Sequence, residues 1–120
     1  MTLIETERVH FLPIANVALV ETLRGVIGDD FPFLVNTFIE DSAKKIHRLQ
    51  RLDVYSQRDT IKQLIHSFKG SCCNMGAERL AFECEHLEAA LSEMTAFDFA
   101  ARIIKIDLCF QEFVTQLKEF

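Results

Sequence analysis

The sequence lacks tryptophan and contains only one tyrosine, two prolines and four glycines among its 120 residues. Its other aromatic side chains are eleven phenylalanines, which fill apolar interiors well but are poor at recognising bases or sugars. Because glycine and proline mark the turns between strands, their scarcity disfavours a β-sheet protein with many tight turns. These shortages indicate a helical chain with an apolar interior.

Positive charge is also scarce, since 13 Lys and Arg residues stand against 18 Asp and Glu residues and the formal net charge is −5. This balance excludes the broad basic surface that nucleic-acid binding requires. No run of about 18 apolar residues is present, and the stretch Phe11–Val20 follows Glu5 and Glu7 and is broken by Pro13. We therefore expect neither a signal peptide nor a membrane span, and a cytoplasmic protein.

The cysteines form no pair with metal-ligand spacing. They are Cys72, Cys73, Cys84 and Cys109. No CxxC motif occurs, and no histidine stands at zinc-finger spacing, so neither a disulfide framework nor a zinc site is predicted. We interpret the cysteines as buried, reduced thiols and expect no metal and no cofactor.

Apolar residues recur every three or four positions along most of the chain, and no sustained alternation typical of strands is found. We predict one all-α domain over residues 1–120. Short connections make consecutive helices antiparallel neighbours, so the expected architecture is an antiparallel up-down four-helix bundle with an additional short N-terminal helix across one end.

The first two helices are placed by their end signals. Pro13 suits the first helical position, and the helix is expected to end in the region Gly25–Gly28. Asp29 or Asp30 can cap the second helix, which is expected to end near Asp53–Tyr55.

The remaining helices have similar signals. Ser56 with Asp59 resembles a capping box at the start of the third helix, and Gly76 can end that helix in the left-handed conformation. A fourth helix follows at once, and Thr95 with Asp98 resembles the start of the last. The third helix is expected to direct one apolar stripe inward: Ile61, Leu64, Ile65, Phe68 and Cys72.

A glycine stands in the middle of the third helix. Gly70 costs about 1 kcal/mol there relative to alanine, so another property of this position must favour glycine. Helical side chains lean toward the N-terminus, so a side chain at position 70 would cover His66 one turn earlier. Lys62 and Lys69 flank His66 at helical spacing. His66 lies about 100° around the helix from inward-facing Ile65, which predicts an exposed imidazole beside positive charge.

An exposed imidazole nitrogen can hold a phosphoryl group, and a neighbouring lysine can stabilise the phosphoryl oxygens. The segment that contains His66 matches a longer pattern, H-x-x-K-G-S-x-x-x-x-G-A-x-x-L-x-x-x-C-x-x-L-E. Its residues are His66, Lys69, Gly70, Ser71, Gly76, Ala77, Leu80, Cys84, Leu87 and Glu88. With this pattern the chain resembles the histidine-containing phosphotransfer (HPt) domains of two-component phosphorelays, which are four-helix bundles.

The resemblance implies roles for individual residues. His66 would be the phosphorylated residue, Lys69 would help to hold the phosphoryl oxygens, and Gly70 would leave room for a docking partner. Glu88 would face the histidine from the fourth helix, where a carboxylate can accept from Nδ1–H and leave Nε2 free to attack. We assign Lys62, Gly70 and Cys73 to the surface that a partner contacts.

The function implied is that of a monomeric carrier and not of an enzyme: phosphoryl groups would pass between receiver-domain aspartates and His66, with Mg²⁺ and the acidic pocket belonging to the receiver. The expected partners are response-regulator receiver domains and a hybrid sensor histidine kinase, with no nucleic acid and no membrane. One alternative is a phosphotransfer fragment of a larger sensor kinase, against which Met1 and the lack of a trailing linker argue.

Two other classes are less well supported. Lys69-Gly70-Ser71 resembles part of a phosphate-binding loop, but neither the glycine five residues earlier nor a preceding strand is present. A metal- or cofactor-binding bundle could use His66 with the cysteines, but the Glu-x-x-His spacing of bundle metal sites is missing.

Several residues have an ordinary structural interpretation. His10, His47 and His86 lack a comparable setting and are assigned to structure or solvent. The basic cluster of the second helix contains Lys44, Lys45, Arg48 and Arg51. Cations suit the end of a helix, and a role in steering an acidic partner is the open alternative.

Overall fold

The computed structural model describes residues 12–120, so the expectations for the segment with Glu5, Glu7 and His10 lie outside it. The described chain is helical and contains no strand. The helices are α1 (Val17–Ile27), α2 (Phe31–Leu49), α3 (Arg58–Met75), α4 (Glu78–Ala90) and α5 (Ala96–Leu117). Single 3₁₀ turns, Gly28–Asp30 and Leu91–Glu93, precede α2 and follow α4.

The four long helices form the predicted bundle around one apolar core. The inward stripe of α3 is confirmed, since Ile61, Ile65, Phe68 and Cys72 are buried, and Leu64 is half-buried. Phe38 of α2 meets the edge of the Phe113 ring of α5 at a centroid distance of 5.6 Å. Such edge-to-face contacts add to the free energy gained by burying the rings.

The turn between α3 and α4 confirms the prediction for Gly76. This glycine has φ 78° and ψ 19°, and the following amide of Ala77 donates to the carbonyl of Cys72. A Cβ at position 76 would lie 3.3 Å from the carbonyl oxygen of Asn16. The close packing of this turn keeps α3 and α4 antiparallel neighbours.

The short helix α1 lies against the end of the bundle where this turn is found. The amide of Asn16 donates to the carbonyl of Gly76 at 2.8 Å, and its side-chain amide donates to Glu78 at 2.8 Å. At the other end of α1, Arg24 donates to the carbonyl of Phe120. These contacts agree with the prediction of a short helix across one end.

Some predicted helix ends are wrong. Helix α1 begins at Val17 and not at Pro13, because the side chain of Asn16 caps it by accepting from the Leu19 amide. Helix α2 ends at Leu49 rather than near Asp53–Tyr55. Asp30 does precede α2, but its side chain makes no cap because a 3₁₀ turn runs directly into the helix.

The predicted capping box at Ser56 is also wrong. Helix α3 begins after Gln57, and the Ser56 hydroxyl instead donates to the carboxylate of Asp53 at 2.6 Å. This hydrogen bond lowers the pKa of Asp53, as do amide donations from Tyr55 and Ser56. The Thr95 prediction is confirmed, because its hydroxyl accepts from the Asp98 amide at 3.1 Å.

All four cysteines are free thiols, and Cys72, Cys84 and Cys109 are buried as expected. Burial raises the pKa of Cys72 and raises that of Cys109 to about 11, so both thiols stay protonated near neutral pH. Cys73 is exposed, so the expectation of burial is wrong for this residue. None of the helices within residues 12–120 has the length and apolarity that a membrane crossing requires.

Candidate functional site

The imidazole of His66 projects from α3 into solvent, with 72% of its side chain exposed. Ile65 and Phe68 of the same helix are fully buried, because they face the core. Helix α3 is therefore held by its apolar stripe while the adjacent face stays open, and the predicted exposure of His66 is observed.

Glu88 of α4 lies beside His66. Its Oε2 atom is 3.0 Å from Nδ1 of the imidazole, and its side chain is 19% exposed. Partial burial of the carboxylate opposes ionisation, but the hydrogen bond and charge of Lys69, with a hydrogen bond from His66, outweigh it and lower the pKa of Glu88. An ionised carboxylate can only accept hydrogen bonds. In a neutral imidazole, this contact places the proton on Nδ1 and leaves the lone pair on Nε2.

Lys69 completes this group from α3. Its ammonium donates to Oε1 of Glu88 at 3.1 Å, and this hydrogen bond is the main reason that the pKa of Lys69 is raised. Glu88 thus accepts from both His66 and Lys69. Three residues expected at the site are brought together, with the lysine paired to the carboxylate rather than left unpaired.

Gly70 lies on the exposed face of α3 next to His66. A Cβ built at position 70 would meet no atom within 4 Å, so no close helix contact requires the glycine. Lys62 and Cys73, the other residues expected to meet a partner, are also exposed on α3. Since positions 62, 66, 69, 70 and 73 fall on one side of a helix, these residues share a surface.

Lys45 of α2 reaches this part of α3, which the sequence analysis did not predict. Its ammonium lies 3.4 Å from the hydroxyl of Ser67 and 3.5 Å from that of Ser71. The spacing of charges along α2 marks Lys45 as one of several cations, but only the packing of α2 on α3 distinguishes it from Lys44.

Glu83 of α4 is the second charged residue that the sequence analysis missed. It is fully buried and pairs with Arg102 and Lys105 of α5. Its burial could have been predicted from the sequence, because Glu83 stands between Leu80 and Leu87 on the inward stripe of α4. Glu83 belongs to the α4–α5 contact and not to the surface around His66.

The metal-site alternative has no geometric support in the described part of the chain. Within residues 12–120 no group of three or more His, Cys, Asp or Glu side chains is arranged to hold a metal ion. Cys72 and Cys84 are buried in the core, whereas His66 and Cys73 face solvent. Of the other histidines, His47 is exposed and His86 is half-buried.

Comparison with known proteins agrees with this geometry. A family model described as the Hpt domain matches residues 34–120. The crystal structure of histidine-containing phosphotransfer protein B (HptB) from Pseudomonas aeruginosa PAO1 superimposes with a TM-score of 0.80 at 27% sequence identity, over 89% of this chain and 93% of that chain. No curated protein matches the sequence.

The chain therefore belongs to the Hpt domain family. It has a histidine phosphotransfer role in phosphorelays, and Hpt domains are phosphoryl carriers rather than kinases.

Proposed function

We propose that His66 is the residue that carries the phosphoryl group. The observation that supports this most is the contact of Glu88 with Nδ1 of a largely exposed imidazole. It leaves Nε2 as the nucleophilic atom on the side that a partner can approach.

The transfer step follows from this arrangement. Nε2 of His66 attacks the phosphorus of a receiver-domain aspartyl phosphate, and a nitrogen–phosphorus bond forms. The bond from phosphorus to the aspartate oxygen breaks, and its electron pair stays on the aspartate carboxylate. The ring gains positive charge while Nδ1 keeps its proton, and the Glu88 carboxylate stabilises that charge. The reverse sequence returns the phosphoryl group to a second receiver.

Lys69 has a different role in the proposal. In the unphosphorylated protein its ammonium is paired with Glu88. Once the phosphoryl group is on Nε2, its oxygens offer a second anionic acceptor close by. Lys69 can then donate to the phosphoryl oxygens while staying near Glu88, because an ammonium has three donors.

The proposal also covers the partners and setting. Receiver domains of response regulators and of a hybrid sensor histidine kinase would dock on the exposed face of α3, over Lys62, Gly70 and Cys73. The whole chain 1–120 would act as one domain, monomeric and cytoplasmic, that transfers phosphoryl groups without binding nucleotide.

The decisive experiment replaces the acceptor. We expect His66→Gln to fold normally, because the side chain is exposed, and to accept no label from a phosphorylated receiver domain. His47→Gln is the matched control, since it removes another exposed histidine from the neighbouring helix and should be labelled at the wild-type rate. Acid-labile, base-stable label on the His66→Gln protein would show that another residue is the acceptor.

A further inference from the structure

The exposed face of α3 is bordered by positive charge on both sides, but the two cations differ. On the α4 side, the ammonium of Lys69 is paired with the carboxylate of Glu88. On the α2 side, the ammonium of Lys45 makes long hydrogen bonds to Ser67 and Ser71. Ser67 follows His66 in sequence, so Lys45 contacts α3 on the face that neighbours the proposed acceptor.

The two lysines differ in the charge of the groups that they contact, and this determines which ammonium can attract an acidic partner. Lys69 is compensated by an anion, whereas both partners of Lys45 are neutral hydroxyls. Among residues 12–120 no carboxylate lies within ion-pair distance of the Lys45 ammonium. Lys45 therefore contributes a positive charge that no ion pair neutralises within residues 12–120.

Neighbouring charges on α2 add to this picture. Arg48 stands one turn after Lys45 on the same side of the helix and is exposed, while Asp41 stands one turn before it and carries the opposite charge. Helices α2 and α3 are antiparallel, and Lys45 contacts Ser67 and Ser71. The part of α2 nearer to His66 therefore carries the cations, and Asp41 lies farther along. We name the pair Lys45 and Arg48 the α2 cation pair.

The net charge of the whole molecule gives these two cations a role in attracting an acidic partner. The chain has a formal net charge of −5, so at long range it repels any partner that presents an aspartyl phosphate among acidic groups. Local cations near the contact reverse this repulsion and favour productive orientations.

We propose that the α2 cation pair is a docking contact that orients an acidic receiver-domain surface over His66. This rests on the proposed function, since the partner's charge is that of its phosphorylated aspartate and the surface around it. Lys45 is a positioning residue here, acting through the protein–protein contact and not on the transferred group.

The test compares charge reversal at two adjacent positions. The probe is a receiver domain, labelled on its aspartate, that passes label to the wild-type protein. We expect Lys45→Glu to slow transfer about tenfold or more at low ionic strength, and the difference to shrink in about 0.5 M salt because exposed charges are screened. Lys44→Glu makes the same change in net charge at the exposed residue that directly precedes Lys45. It should change the rate about twofold or less.

Two further variants separate charge from structure. Lys45→Arg should transfer at close to the wild-type rate, and Lys45→Gln should show an intermediate loss with the same salt dependence. Thermal melts of all variants should stay near that of the wild type. Equal loss for Lys45→Glu and Lys44→Glu, or a loss that salt does not change, would overturn the proposal.

A small phosphodonor distinguishes this proposal from the one on which it rests. Phosphoramidate can label a histidine without any protein partner, so Lys45→Glu should accept label from it at the wild-type rate. An equal loss with phosphoramidate and with the receiver would place Lys45 at the phosphoryl group and reject the docking role. A wild-type protein that accepts label from neither donor would instead contradict the proposed function, and the docking role with it.

Discussion

Two glutamates on α4, Glu83 and Glu88, make contacts of the same kind in different surroundings. Glu83 is 0% exposed, with Lys105 at 3.4 Å and Arg102 at 3.5 Å on α5. Glu88 is 19% exposed and contacts His66 and Lys69 on α3. Each carboxylate thus connects α4 to one neighbouring helix through two basic side chains.

Burial determines what each carboxylate can do. A fully buried carboxylate needs its cations in place, because an uncompensated charge in the interior is strongly destabilising. Glu83 is therefore confined to holding α4 against α5. A carboxylate at the solvent boundary can exchange partners at low cost, so Glu88 is suited to a site where charge changes during a reaction. Under the proposed function, the same residue type is structural on one side of α4 and takes part in the chemistry on the other.

The largest expected effect comes from removing the cations that face Glu83. We expect the double variant Arg102→Met with Lys105→Met to lower the free energy of unfolding by about 3 kcal/mol, because Glu83 is left buried without a counter-charge. Urea unfolding measures the loss. Phosphotransfer per folded molecule should stay at the wild-type value, since these residues lie on the α5 side of α4.

A third substitution provides the control for this stability effect. Glu83→Gln, added to the double variant, removes the buried charge and should recover much of the lost stability. An unchanged unfolding midpoint for the double variant would show that Glu83 does not depend on its cations. The contrast between the two sides of α4 would then be wrong.

Smaller effects, seen in rate rather than stability, are expected on the α3 side of α4. Lys69→Ala should slow phosphotransfer by about 10²-fold or less, the range for losing one electrostatic contact in a transition state. Glu88→Ala should slow it less, because the imidazole keeps its nucleophilic nitrogen and loses only its orientation. Rapid-quench measurements with a labelled receiver domain give both rates.

Lys118→Ala is the control for these rates, because it removes an exposed cation near the end of the chain, away from α3. The Lys69 and Glu88 variants should unfold at close to the wild-type urea concentration, because partly exposed ion pairs contribute little to stability. Wild-type rates for both variants would remove them from the site and leave His66 acting alone.

Much of the fold follows from local sequence. The apolar stripe of α3, the left-handed Gly76 and the Thr95 cap were all predicted from spacing and residue type, because each depends on neighbours within a few positions. The approach of Glu88 to His66 was expected from the family resemblance. Its distances and the pairing of Lys69 required the structure.

The features that were missed depend on a choice between alternative hydrogen bonds or on which side of a helix faces its neighbour. Ser56 could cap a helix or bond to Asp53, and both options look alike in sequence. Lys45 differs from Lys44 only by which of them faces α3, and that depends on how α2 packs. Glu83 is different, because its place on an apolar stripe was visible, and only its counter-charges on α5 were not.

The smallest effects are expected at Gly70, on the exposed side of α3. Gly70→Ala should raise the free energy of unfolding by up to about 1 kcal/mol, because alanine favours helix and the added Cβ meets no atom within 4 Å. Transfer should change little, since a methyl group is small. Gly70→Gln should also be at least as stable as wild type, but its side chain would lean back over His66 and obstruct an approaching receiver.

Gly25 of α1 provides the matched comparison, because a Cβ there also meets no atom within 4 Å. Gly25→Gln should gain stability in the same way and leave transfer unchanged, so stability and transfer move in opposite directions only at position 70. Thermal melts and label transfer on the same samples measure both. Full-rate transfer by Gly70→Gln would show that the glycine does not keep a docking path open. A much lower melting temperature for both Gly70 variants would show that this part of α3 packs more closely than its open surface indicates.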